Sequence, residues 1–173
     1  MTLFGWPSVK EIVDLDAPDE VYLRRTQLFK SRWLAVYVHR ILRPDVARCA
    51  HGHPWPFLTM ILRGGYVEEI GGKRYARRPG YVGWRPRAFQ HRIVELPHGP
   101  ALTLVIRGRD HGAWNFYDAD GQNPIPWQVY CDMPQRSRIL WCEEGAGPAA
   151  ALRAMAAELD YLRETGFLGG EKA

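Results

Sequence analysis

Short runs of β-branched and aromatic residues, each closed by glycine or proline, are the feature that most constrains this fold. The 17 glycines and 13 prolines stand mainly between apolar runs, a pattern typical of many short strands joined by tight turns. Residues 33–42 predict the first long strand, and residues 66–70 and 73–77 predict a hairpin around Gly71-Gly72. Further strands are predicted at 57–62, 81–84, 91–95, 101–107, 114–117, 127–130 and 138–142. Their number and spacing predict a β-sandwich or barrel.

The two ends of the chain differ from this middle part. Residues 18–30 predict a short helix beginning near Pro18, with a loop and an edge strand as the alternative. Residues 148–165 predict an amphipathic helix packed outside the β core or against a second subunit. Its signals are a first-turn proline, one apolar stripe and a glycine stop: Pro148, Leu152, Met155, Leu159, Leu162 and Gly166. We therefore expect one domain over residues 1–173, with its β core at about 33–142.

Composition excludes several classes of protein. Hydrophobic residues make up 46% and charged residues 24%, which excludes a disordered chain. No apolar stretch approaches the roughly 18 residues of a membrane span. The net charge is +4, but the arginines are dispersed, which argues against nucleic acid as a partner. The three cysteines, Cys49, Cys131 and Cys142, are odd in number and widely spaced. They support neither a disulfide framework nor a zinc finger, and they fit a reducing cytoplasm.

Three histidines have a spacing that could carry chemistry. His51 and His53 flank one glycine, so on an extended strand both imidazoles lie on the same face. His91 begins another predicted strand. Imidazoles from two neighbouring strands can converge on one metal ion. Spacing alone equally permits surface or hydrogen-bonded core histidines.

The residues around these histidines resemble the two motifs of the cupin superfamily. The first motif reads His-x-His, three or four intervening residues, a glutamate, six intervening residues and a glycine; His51, His53 and Gly64-Gly65 keep this register. The second motif has a glycine, a proline and a histidine at the spacing of Gly80, Pro86 and His91, with Ala88 replacing the middle glycine. The resemblance covers about residues 45–95. It implies a small β-barrel of two antiparallel sheets, the double-stranded β-helix, with the terminal helix outside.

The resemblance also implies a metal site, with one departure from the family pattern. The glutamate slot falls on Phe57 or Leu58, and both are apolar. Three acidic residues lie outside this slot and are not assigned as ligands: Glu68, Glu69 and Glu95. The expected ligands are therefore three neutral imidazoles, His51, His53 and His91.

Three-histidine cupin sites are similar to those of iron(II) dioxygenases. The resemblance thus implies a mononuclear iron(II) dioxygenase acting on a small, anionic molecule, with Zn, Ni, Mn or Cu as other candidate metals. The family also contains isomerases, lyases and binding proteins. The alternatives are a non-catalytic cupin that binds a metal or a small molecule, and a metal-free structural role. Cupins frequently dimerise, so the resemblance also implies a homodimer.

Several other residues are candidates for the substrate site. Arg63 and Arg107 end apolar strands, where a guanidinium could bind a carboxylate. Aromatic rings are candidates for the cavity lining, chiefly Phe57, Tyr66 and Trp84, with Trp55 and Tyr81 beside them. Strand alternation turns Cys49, Ile93 and Glu95 inward and Arg92 outward. His39 and His111 match no motif position and are expected to be structural, with His111 a secondary candidate for proton transfer.

Overall fold

The computed structural model describes residues 8–14, 17, 19–45, 47, 49–87, 89–112, 114–144, 156, 160 and 162–164. Most of this part of the chain forms short strands. The strands are β1 (Ser8–Val13), β2 (Val21–Lys30), β3 (Ala35–Ile41), β4 (Phe57–Arg63), β5 (Tyr66–Ile70), β6 (Lys73–Arg77), β7 (Val82–Arg85), β8 (Arg92–Glu95), β9 (Ala101–Arg107), β10 (Asn115–Tyr117) and β11 (Pro124–Pro126). Two helices follow, α1 (Trp127–Asp132) and α2 (Gln135–Glu144).

The strands form two main antiparallel sheets. The larger sheet has the order β1-β2-β3-β9-β4-β7, and the smaller has the order β6-β5-β8. Strands β10 and β11 form a separate pair. The two main sheets are not joined to each other by backbone hydrogen bonds, so the barrel is a sandwich open at its seams. The predicted all-β fold of two antiparallel sheets is confirmed.

Strand alternation places the core between the sheets. In β9 every second residue is buried, namely Ala101, Thr103, Val105 and Arg107, as expected for a strand with one face on the core. One end of the interior holds the apolar cluster of Leu23, Ile41, Ile61, Tyr66, Ile93 and Ala101. The other end holds Ala35, Tyr37, Phe57 and Val105. This second end lies beside the histidines described below.

The hairpin predicted around the glycine pair is confirmed. Strands β5 and β6 pair from Tyr66 with Arg77 to Ile70 with Lys73. Gly71 and Gly72 both have positive φ, 53° and 74°. A two-residue hairpin turn whose residues both have positive φ matches the twist of the strands, and glycine adopts it without steric cost.

Three local predictions from the sequence are wrong. Residues 127–130 and 138–142 form helices α1 and α2 rather than strands. Short apolar runs fit either structure, and Pro126 and Pro134 stand where helices begin. Residues 21–30 form strand β2, the alternative to the expected helix, and β2 lies inside the sheet between β1 and β3 rather than at its edge. The large sheet therefore includes β1 and β2, which precede residue 33, where the β core was expected to begin.

The cysteines are not all free. Cys49 and Cys142 form a disulfide that links the segment before His51 to helix α2, while Cys131 is a free, half-buried thiol. The sequence supported no disulfide framework, and this one disulfide corrects that expectation. An odd number of cysteines, with a separation of 93 residues between the partners, gives no sequence signal for this pairing.

Most of the predicted C-terminal helix lies outside the described residues, including Pro148, Leu152, Met155 and Leu159. Residues 156, 160 and 162–164 are described, and they are helical. None of the described helices has the length and apolar character needed to cross a lipid bilayer.

Candidate metal centre

The site begins with a backbone pairing between His51 and His91. The amide of His51 donates to the carbonyl of His91 at 2.9 Å, and the amide of His91 donates to the carbonyl of His51 at 3.1 Å. Both residues lie outside the named strands, and their bridge is antiparallel. Residues that oppose each other in an antiparallel pair project their side chains to the same face. The pairing therefore places both imidazoles on one side of the backbone, with ring centroids 4.9 Å apart.

His53 completes a cluster of three imidazoles. One ring nitrogen from each of His51, His53 and His91 lies within 4.8 Å of the others. The Nε2 atoms of His53 and His91 are 3.1 Å apart. Two nitrogens that each lie about 2.1 Å from one ion are about 3.0 Å apart when the nitrogen–metal–nitrogen angle is about 90°. They are about 3.4 Å apart when that angle is tetrahedral. The donor set thus has the type that a divalent metal ion requires, and the His53–His91 pair also has the spacing.

Glu68 orients His91. It lies on β5 with a fully buried side chain, and its Oε1 is 2.9 Å from His91 Nδ1. An ionised carboxylate only accepts hydrogen bonds, so His91 donates through Nδ1 and keeps its Nε2 lone pair for a ligand. Carboxylate-held histidines of this kind are common around protein metal ions, where the carboxylate fixes the tautomer and the ring orientation.

Two arginines keep Glu68 ionised in its buried position. Arg85 Nη2 donates to Glu68 Oε2 at 2.6 Å, and Arg77 Nε donates to the same oxygen at 2.8 Å. Burial by itself would raise the pKa of Glu68, but the hydrogen bonds from His91 and Arg77 and the charge of Arg85 outweigh it and lower the pKa to about 2. Glu68 is thus an anion whose charge is balanced by arginines, not a further metal ligand.

His51 and His53 are held in the neutral form that can bind a metal. Burial lowers the pKa of His51 to about 4, although the charge of Asp45 opposes the shift. Burial also lowers the pKa of His53 well below its usual value, and the neighbouring His51, His91 and Arg25 add to the effect. Asp45 Oδ2 accepts the amide of Ile93 at 2.7 Å and lies 3.8 Å from His51 Nδ1.

The histidines open into a cavity of about 100 Å³ between the sheets. Aromatic rings surround His53: the Phe57 ring lies edge-on with centroids 4.8 Å apart, and Trp55 and Trp114 stack at 6.2 and 6.5 Å. The wall is mostly aromatic and aliphatic. Its polar members away from the three histidines are Tyr22, Arg25, Tyr37, His39, Thr59, Tyr66 and Thr103.

The structure brings some predicted substrate residues to this cavity and leaves others away from it. Phe57 and Tyr66 line it. Arg107 is buried behind the wall, with its guanidinium 4.8 Å from the Trp55 ring centroid. Arg63 is exposed at the end of β4 opposite Phe57, and Trp84 is 60% exposed; neither lines the cavity.

Other expected positions also differ. Ile93 is buried as predicted, but Glu95 is exposed and pairs with Arg74 at 3.0 Å. The prediction that the Glu95 side chain points inward is wrong, because the pairing of β5 with β8 contains a register shift. Such a bulge breaks the alternation of inward and outward side chains along the strand. His111 is exposed.

Sequence reasoning missed three residues around the site. Glu68 is a carboxylate at an inward position of β5, two residues from Tyr66, and that alternation was the available signal. Arg25 and His39 line the cavity from β2 and β3. His39 had no motif to mark it, and Arg25 fell in the segment for which a helix was expected.

Comparison with known proteins identifies the fold. No protein-family model and no curated protein matches the sequence. Among solved structures, the iron(II) form of HppE is similar with a TM-score of 0.50 and 14% identity over 58% of this chain and 56% of that chain. A cupin 2 conserved barrel domain protein from Rhodopseudomonas palustris is similar with a TM-score of 0.50 and 14% identity over 66% of this chain and 80% of that one.

An RmlC-like cupin from Shewanella frigidimarina is similar with a TM-score of 0.47 and 13% identity over 61% of this chain and 86% of that chain. This chain spans little more than half the length of HppE. The fold is that of the cupins, as its two motifs predicted. In this cupin fold the histidine cluster is of a kind that fits a divalent metal ion, since three ring nitrogens lie within 4.8 Å of one another and those of His53 and His91 stand at coordination spacing.

Proposed function

We propose that this protein is a mononuclear metal-dependent cupin, and that it acts as an iron(II) dioxygenase on a small anionic molecule. One observation carries the proposal: three imidazole nitrogens, from His51, His53 and His91, lie within 4.8 Å of one another at the wall of a cavity. His91 is oriented by a buried carboxylate, as in established metal sites.

The choice of an iron dioxygenase follows from the neutral ligands. The glutamate slot of the family pattern falls on Phe57 or Leu58, and Phe57 is the one that stands beside His53. Both are apolar, so no ligand carboxylate would reduce the charge of the ion. An iron(II) ion held by three neutral imidazoles has open positions for a substrate and for O₂, and it would supply the redox chemistry. The chain's own residues keep His51 and His53 neutral and surround the site with aromatic rings that limit access of water.

The cavity offers little for acid–base chemistry, which supports a redox reaction over an isomerase or lyase. Burial lowers the pKa of His39 to about 3, and the charge of Arg25 adds to this effect. Burial also raises the pKa of Tyr22 and of Tyr66. These three groups therefore do not exchange protons near neutral pH. The same observation supports the alternative function, a non-catalytic cupin that binds a metal or a small molecule.

Metal analysis with matched variants tests the proposal. Protein purified without added metal is compared with His53→Ala, and with His98→Ala as a control at an exposed histidine. We expect about one divalent ion per chain in the wild type and in His98→Ala, and a large loss in His53→Ala. Metal content that is equal in all three proteins would contradict the site.

Oxygen uptake then separates the two functions. The metal-loaded protein is screened with small carboxylic acids in an oxygen electrode. Substrate-dependent O₂ uptake by the iron form, absent from His53→Ala, supports the dioxygenase. Stoichiometric metal without any O₂ uptake supports the binding protein instead.

A further inference from the structure

A second feature of the cavity is a guanidinium with no carboxylate partner. Arg25 lines the cavity from β2, and its Nε donates to His39 Nε2 at 3.0 Å. Its guanidinium carbon lies 5.1 Å from the centroid of the Tyr37 ring. These two contacts fix the plane of the guanidinium and use only one of its five N–H donors. Within the described part of the chain no hydrogen-bond acceptor is bound to its terminal Nη1 and Nη2 atoms.

Two other arginines of the site, the buried Arg85 and the half-buried Arg77, show what Arg25 lacks. Arg85 and Arg77 both pair with Glu68, at 2.6 and 2.8 Å. Among the described residues no carboxylate lies within ion-pair distance of Arg25. Burial lowers the pKa of Arg25 in spite of the nearby phenols Tyr37 and Tyr22, as expected for a charge removed from water without a counterion. Arg25 is half-buried, so its charge is partly removed from water without a partner. This is unfavourable, and an anion in the cavity would relieve it.

We propose that Arg25 binds the carboxylate of a small substrate in this cavity, with His39 as the residue that positions its guanidinium. Because His39 accepts the Nε–H, the two terminal nitrogens remain available for the two parallel hydrogen bonds that arginine makes to a carboxylate. A single guanidinium among aromatic walls suits a monoanion better than a phosphate dianion, which would require more donors.

This inference deepens the proposed function. It rests on that function for one point, namely that the end of the substrate away from Arg25 binds the metal ion. Arg25 and His53 line the same cavity, and the charge of Arg25 is one of the smaller causes that lower the pKa of His53. The ion on the histidines and the guanidinium of Arg25 would then bind two ends of one small molecule. With the metal and Arg25 both positive, the cavity selects anions by charge as well as by shape.

Binding of defined small molecules tests the carboxylate site. Glycolate and its neutral analogue glycolamide are titrated into metal-free and Zn-loaded wild-type protein, with binding followed by tryptophan fluorescence and calorimetry. We expect glycolate to bind about tenfold or more tightly than glycolamide in both forms, since only the anion can form the charge-assisted pair. Equal binding of the two molecules, or no glycolate binding at millimolar concentration, would overturn the proposal. This comparison uses the wild type and does not depend on the folding of any variant.

Variants assign the effect to Arg25. We expect Arg25→Lys to weaken glycolate binding about tenfold or more, because lysine lacks the planar pair of donors. Arg63→Lys, at an exposed arginine, should bind glycolate like the wild type. His39→Leu should weaken binding, and His39→Gln should restore it, since its amide oxygen can accept the Nε–H of Arg25. Unchanged glycolate affinity in Arg25→Lys would remove Arg25 from the site.

Metal content separates failure of this inference from failure of the proposed function. Arg25→Lys should hold as much metal as the wild type. If metal binds and glycolate affinity does not depend on Arg25, the carboxylate site is wrong while the metal site stands. If metal does not bind but glycolate binding to the metal-free protein depends on Arg25, the carboxylate site stands without the dioxygenase.

Discussion

His51 and His91 exchange two backbone hydrogen bonds, at 2.9 and 3.1 Å, although they belong to two different sequence motifs. This pairing brings the motifs together as neighbouring segments and sets both imidazoles on one face. A slip of one residue in the pairing would turn one imidazole to the opposite face. The candidate metal site therefore depends on backbone register as much as on the identity of its three histidines.

The first prediction concerns Glu68, which connects His91 to Arg77 and Arg85. Glu68→Gln removes the anion that orients His91 and that pairs with Arg77 and Arg85. We expect metal affinity to fall about 10- to 100-fold and the free energy of unfolding to fall by about 3 kcal/mol or more. Metal titration and urea unfolding measure the two effects.

Glu69→Gln is the matched control for this change. Glu69 is the next residue on β5 and bonds to Arg92 at 2.7 Å, away from the histidines. We expect wild-type metal affinity in this variant. Equal losses of metal affinity in the two variants would show that the effect comes from general destabilisation and not from the orientation of His91.

The second prediction concerns the position of the missing glutamate. The Phe57 ring faces His53 and His91, with centroid distances of 4.8 and 6.2 Å, whereas Leu58 alternates to the other face of β4. Phe57→Glu should therefore add a carboxylate near the ion and strengthen metal binding. It should also destabilise the metal-free protein, because a carboxylate would be buried without a partner.

Leu58→Glu distinguishes the two candidate positions. Its carboxylate would lie outside the cavity, so metal affinity should remain that of the wild type. The measurement is thermal unfolding with and without Zn²⁺, in which only Phe57→Glu should show a larger metal-induced stabilisation than the wild type. A larger stabilisation for Leu58→Glu would mean that the register inferred for the first motif is off by one residue.

The sequence was most informative where local pattern and local structure coincide. The hairpin at Gly71-Gly72 followed from alternation and turn chemistry, and the histidine cluster followed from two spaced motifs. Both depend on short-range geometry within a strand or a turn. Helix α2 was missed because residues 138–142 form an apolar run too short to show a period.

The residues around the histidines could not be predicted, because their contacts join segments that are far apart in the sequence. Arg25 and His39 line the cavity from β2 and β3, and Glu68 contacts His91 from β5. No spacing in the sequence indicates that these three strands meet at the site. The inward orientation expected for Glu95 failed at a register shift, which alternation alone cannot reveal. The structure therefore adds the contacts between distant strands, which the sequence pattern of single elements does not contain.

The third prediction is that the metal-free protein loses stability as the pH falls below neutral. His51 has a folded-state pKa of about 4 against about 6.5 when unfolded. Between these values the unfolded chain binds more protons, so stability is full above pH 6.5 and declines as the pH falls toward 4. A shift of this size corresponds to on the order of 3 kcal/mol. His39, with its pKa lowered to about 3, acts in the same direction.

Urea unfolding of metal-free protein between pH 4 and 7 measures this dependence. His51→Gln should reduce the slope of the free energy of unfolding against pH, because the variant lacks one group whose pKa is lower in the folded than in the unfolded protein. His98→Gln, at an exposed histidine, should keep the wild-type slope. A wild-type curve that is flat over this range would contradict the burial of neutral histidines.

The last prediction concerns the disulfide between Cys49 and Cys142. Because it joins residues 93 positions apart, it restricts the unfolded chain strongly, and its loss should cost about 2–4 kcal/mol. Without reductant, Cys142→Ser should therefore unfold at a lower urea concentration than the wild type. With reductant, the two proteins should unfold at the same urea concentration. Cys131→Ser is the control: burial raises the pKa of the Cys131 thiol, which disfavours the thiolate needed for exchange. Thiol titration of the unfolded, unreduced wild type should find one free thiol per chain, and three would show that the disulfide is absent.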